Sequence, residues 1–129
     1  MERRSFFALV LTAVAGSVWA QRPDRRYRIA IIESVGRAEE IASPTHYPLI
    51  WGTFFEEMGR RGYIEGINLF VERYSGEGRG DEHYSELARA VAATKPDIIM
   101  TSGVVMVRHF KAATMTIPIV FSNYDPIAF

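Results

Sequence analysis

Small polar residues follow two short apolar runs near the end of this sequence. Thr101, Ser102 and Gly103 close the run at 97–101, and Ser122, Asn123, Asp125 and Pro126 follow the run at 117–121. Hydroxyls and free backbone N–H groups at 101–103 suit hydrogen bonds to a carboxylate or another polar group of a ligand. A helix beginning at Val104 would aim the positive end of its dipole at the same place. Asp125 is placed to pair with a ligand amine. His46 sits in the loop after the first apolar run and is a further candidate contact. Each has a local alternative: Thr101 and Ser102 as caps of the following helix, Asp125-Pro126 as a turn, His46 as an organiser of the next helix.

Other chemistry finds less support. Cysteine is absent, which excludes disulfides, thiolate metal sites and cysteine nucleophiles. Ser34, Ser102 and Ser122 lie at strand ends, but none sits in a G-x-S-x-G elbow, and no base is spaced to serve them. His83 and Glu86 share a helix face without a third ligand at a supporting spacing, so a solvated face is the simpler reading. Gly76-Glu77-Gly78-Arg79-Gly80 is not a dinucleotide fingerprint. Its third glycine comes one residue early, it follows the second strand, and Glu77 would repel a pyrophosphate. These features point to a binding protein with no cofactor and no metal, and not to an enzyme.

The elements that must hold these residues follow from periodicity. Residues 27–33 (YRIAIIE) read as a buried central strand, with further strands at 68–74, 97–101 and 117–121. Between them, 47–61 repeats apolar residues at Ile50, Phe54 and Met58, with Pro48 suited to its first turn and Gly62 to its end. A second helix is expected at 82–94, capped by Asp81 and stopped by Pro96, and a third at 104–114, with His109 at its boundary with solvent. The order βαβαβαβ predicts an α/β fold with a doubly wound parallel sheet. In such sheets ligands bind beyond the carboxyl ends of the strands, where the polar loops above would lie.

Composition narrows the partners. The 15 basic and 15 acidic side chains cancel, and without Arg3, Arg4 and Glu2 the balance is 13 to 14. No basic field is left for nucleic acid or anionic lipid. With 48% hydrophobic residues the chain is globular. Residues 1–20 have a positive start at Arg3 and Arg4, an apolar stretch at 6–15, and small side chains at Val18 and Ala20 ahead of Gln21. This is the pattern of a cleavable signal peptide, with the mature chain at 21–129 and a periplasmic destination by either Sec or Tat. The apolar stretch is shorter than the roughly 20 residues a spanning helix needs.

Three stretches together resemble the ABC-transporter substrate-binding protein family, whose receptors have the type I periplasmic-binding-protein fold. The first is FFEEMGRRGYIEGINLFVERY at 54–74, similar to the family's "GYxEGxN" turn between a helix and a strand. The second is the 87–97 helix with its KPD ending, and the third is the final AATMTIPIVFSNYDPIAF, with its I-P-I-V and D-P pieces. The resemblance implies an extracytoplasmic receptor for a small-molecule solute, such as an amino acid, delivered to an ABC permease in the inner membrane. Carried onto this sequence, it marks Ser34, Thr101, Ser102, Asp125 and Pro126 as ligand-binding candidates. Family members run to roughly twice this length, so 21–129 is expected to form a truncated, incomplete first lobe. Two other classes share parts of the pattern. A flavodoxin-like or receiver-type domain shares the strand–helix order, but Glu33 stands alone where a receiver has an acidic cluster, and Thr101-Ser102 replaces its aspartate. A secreted hydrolase would need the missing nucleophile elbow.

Overall fold

The computed structural model describes residues 25–46 and 48–122; the expected signal peptide at 1–20, and Asp125 and Pro126, lie outside the described residues. Four strands, β1 (Tyr27–Glu33), β2 (Leu69–Ser75), β3 (Ile98–Ser102) and β4 (Ile119–Ser122), alternate with helices α1 (Thr53–Arg60), α2 (Asp81–Ala93) and α3 (Val104–Ala113). The strands pair in parallel in the order β2-β1-β3-β4. This is the doubly wound α/β sheet expected from the apolar runs.

Alternation along β1 builds two cores. Ile29 and Ile31 face a cluster with Ile41, Ala42 and Leu69, against which Trp51, Phe54, Phe55 and Met58 pack from the α1 side. Ala30 and Ile32 face the opposite cluster, with Ala88 and Val91 of α2 and Met106 and Phe110 of α3. One face is thus covered by α1 and the other by α2 and α3, as parallel strands buried on both sides require. No helix among the described residues is long and apolar enough to cross a membrane.

Strand ends depart from the expected bounds by a residue or two, for physical reasons. Asp97 serves as an anchor ahead of β3: its carboxylate accepts the Arg28 N–H at 2.8 Å and its own N–H donates to the Arg28 carbonyl at 2.9 Å. Pro118 has no N–H to give to the ladder, although its carbonyl accepts from Ile99 at 2.9 Å, and β4 starts at Ile119, two residues after the expected 117.

The expected helix at 47–61 opens as a π-helical turn over Pro48–Gly52 before α1 proper. It closes as foreseen at Gly62, where φ is 86°. There the Tyr63 N–H reaches the Met58 carbonyl and the Gly62 N–H the Gly59 carbonyl, both at 2.9 Å, the paired bonds of a Schellman ending. The following turn is held by Asn68, whose amide accepts from the Ile64 N–H and donates to the Gly62 carbonyl, each at 2.7 Å.

One expected cap is absent. Gly80, with φ 93°, occupies the position ahead of α2, and no side chain caps it. Asp81 is the first helical residue instead, and its carboxylate meets His109 Nε2 of α3 at 3.0 Å. The His109 side chain is only 15% exposed and lies edge-on to Tyr84, so it joins α2 to α3.

Candidate functional site

The sheet order creates one crevice. The chain leaves β1 toward β2 on one side and crosses back to β3 on the other, so the loops after β1 and β3 diverge. A cavity of about 440 Å³ opens at that place, within the size range of small-molecule sites. Glu33 and Ser102 form its floor, Gly36, Arg37, Glu40 and His46 part of its rim, and Ile41, Ile50 and Trp51 an apolar wall.

Parity decides which strand-end hydroxyl reaches this cavity. Ile32 is in register with Thr101, so Glu33 and Ser102 are the next pair along. Ile98 and Met100 face the α1 side, and Ser102, two residues on, faces the same way. Its hydroxyl donates to the Glu33 carboxylate at the cavity floor. Thr101 points to the other face, is 5% exposed, and donates to the Ile32 carbonyl at 2.8 Å. Neither residue caps α3, where no side-chain cap bond forms.

The remaining candidates are placed as follows. His46 lines the cavity with Ser102, so the two are brought together from loops far apart in sequence. Ser34 is not among the lining residues. Its carbonyl accepts from the Gly78 N–H at 2.9 Å and the Tyr84 hydroxyl at 3.1 Å. Gly103 has φ 73° ahead of α3, and its N–H is committed to the Ser122 carbonyl at 3.1 Å.

The loop wall is held from beneath by Arg73 of β2. Its Nε donates to the Ile41 carbonyl at 2.9 Å and its Nη2 to the Ala42 carbonyl at 3.3 Å. Its Nη1 pairs with Glu65 at 2.6 Å, and the guanidinium lies over the Phe55 ring. Ala42 is fully buried with φ 52°, a conformation that costs a non-glycine residue energy and so needs such support. The glycine-rich loop is a second brace. Gly76 donates to the Glu33 carbonyl at 2.8 Å, and Ser75 Oγ donates to the Gly36 carbonyl at 2.7 Å. It is a structural connection that fixes the loop after β1.

Glu33 and Trp51 did not stand out as site residues in the sequence. Glu33 reads as the polar end of a strand, although its position at the end of the first strand was a usable signal. Trp51 reads as one more apolar residue of a helix, and nothing local announces the π turn that carries it with Ile50 to the cavity.

No protein-family model matches this sequence, and no curated protein matches it. Solved structures do match. A conserved domain protein from Vibrio cholerae aligns with a TM-score of 0.61 and 24% identity over 80% of this chain. The ligand-free, open structure of a substrate binding protein with adhesive properties from Clostridium difficile aligns at 0.59 and 21% over 79%. An ABC domain in complex with L-Trp from Streptococcus pneumonia aligns at 0.59 and 16% over 79%. This chain spans about a third of the length of each, 32% in all three cases. At these identities the likeness is one of fold: the chain has a partial periplasmic-binding-protein-like fold.

Proposed function

We propose that this chain is the solute-binding component of an ABC importer, exported by a signal peptide at 1–20 and working outside the cytoplasm. It binds a small solute such as an amino acid and passes it to a permease in the inner membrane. The observation that carries this reading is the cavity at the crossover point. It gathers Glu33, His46 and an apolar wall from the segment at 33–51, and Ser102 from the end of β3, at the ligand-binding edge of the sheet. The binding-protein fold supports the reading, as does the L-Trp complex among the solved chains of the same fold. Asp125 and Pro126 belong to the same proposal as contacts from the loop after β4, together with Ser34, Thr101 and Gly103 as the frame around the site. The chain carries out binding and no chemical conversion.

Calorimetric titration of the full chain with amino acids and other small polar solutes tests this. Saturable binding that weakens about tenfold or more in Ser102→Ala or His46→Ala is the expected result. Failure of every solute to bind would contradict it. N-terminal sequencing of fractionated cells tests the export step: the mature protein should begin at Gln21, and intact Met1 in the cytoplasm would refute it.

A further inference from the structure

We propose that Glu33 makes this cavity selective for solutes carrying a positive charge, a protonated amine above all; the inference rests on the solute-binding reading of the cavity. Glu33 ends β1 and is half-buried at the cavity floor. A carboxylate offers about four acceptor positions, and the Ser102 hydroxyl takes one of them. Among the described residues no Arg, Lys or His nitrogen lies within ion-pair distance of it.

The other acids in and beside this sheet are all matched. Glu72 holds both oxygens against Arg28 Nη2, Glu65 pairs with Arg73, and Asp97 accepts a backbone N–H and faces Arg25. Among these strand acids Glu33 is the one without a cation partner among the described residues, and Glu40 in the lining of the same cavity adds a second carboxylate of the same sign. A solute that fills the cavity strips water from the Glu33 carboxylate, which is costly unless the solute brings a compensating charge. An ammonium group does so through a charge-assisted hydrogen bond, and the Trp51 ring in the same wall favours a cation further. A carboxylate placed there would meet repulsion. Arg37 on the rim leaves room for an acceptor group elsewhere on the same solute.

Phenethylamine, phenylpropionate and phenylethanol share a ring and similar length but differ in charge. The full chain is titrated with these three and with a panel of aliphatic amines, carboxylates and neutral polyols. Trp51 emission gives the readout, and Trp51→Phe gives the blank. Amines should bind about tenfold or more tighter than their neutral and anionic counterparts. Glu33→Gln, whose amide oxygen still accepts from Ser102, should erase that preference. A thermal melt confirms that the variant is folded. If neutral or anionic solutes bind tightest, or Glu33→Gln leaves amine binding unchanged, the selectivity role is wrong while the cavity reading stands. If no solute of any class changes Trp51 emission, the cavity reading fails and this inference fails with it.

Discussion

Ser102 and Glu33 end neighbouring parallel strands, and the serine hydroxyl donates to the glutamate carboxylate across the β1–β3 seam. One residue earlier, Thr101 makes the equivalent link on the opposite face, to the Ile32 carbonyl at 2.8 Å inside the α2–α3 core. Two adjacent hydroxyls therefore have different physical surroundings: one lines a cavity, and the other is sealed among apolar side chains.

That difference predicts opposite consequences for two small substitutions. Thr101→Val removes the buried donor with little change in shape, so stability should fall by about 1–2 kcal/mol with solute affinity nearly intact. Ser102→Ala removes a hydroxyl from the cavity floor, so affinity should fall while stability moves by about 0.5 kcal/mol or less. Urea denaturation and calorimetric titration of both variants check the pair. Equal stability losses would mean the two positions are equivalent after all.

Gly76 is the residue that lets the loop after β2 close on the site. A Cβ there would run into the Tyr84 ring and lie 3.0 Å from the Ser34 carbonyl oxygen. Gly76→Ala should therefore cost about 1–3 kcal/mol, as overpacking does. Gly59→Ala, where a Cβ meets nothing within 4 Å, is the control and should be neutral or slightly stabilising. A drop in melting temperature for both, or for neither, would argue against the packing described.

Tyr74 predicts an alkaline limit. Burial raises its phenol above the ordinary value of 10.0, and the Glu72 carboxylate adds to this, while Arg28 and a bond with Thr94 act in the other direction. Because the folded state holds the proton more tightly, the associated stability is complete below the unfolded value. It is lost as pH rises from that value through the higher folded one. Unfolding midpoints measured across this range should fall more steeply for the natural protein than for Tyr74→Phe. Parallel curves for the two would show that other groups set the limit.

Much of the fold was legible because buried parallel strands write themselves as continuous apolar runs. β1 matches its expected bounds, and the other three strands shift by one or two residues. The starts of β3 and β4 trace to Asp97, which bonds as an anchor, and to Pro118, which lacks a donor. The site was less legible because it depends on strand order. The segment after β1 and the end of β3 share one cavity only because β1 and β3 are neighbours, and nothing local in either states that. Thr101 and Ser102 look alike in a string of letters; the register that puts Ser102 beside Glu33 separates them. The π turn that carries Ile50 and Trp51 to the cavity has no sequence signal beyond Pro48. Asp81 illustrates a tertiary contact overriding a local preference, since its carboxylate serves His109 instead of its own helix end.

Amide chemical-shift mapping during titration with a bound solute tests the central claim most directly. Shifts are predicted to gather at Val35, Gly36, Ile41 and Ser102 around the crossover cavity, and to leave Phe70 and Val71 at the far concavity unmoved. Shifts centred on Arg26 and Phe70, or beside α3 at Met115 and Phe121, with the cavity amides still, would contradict it.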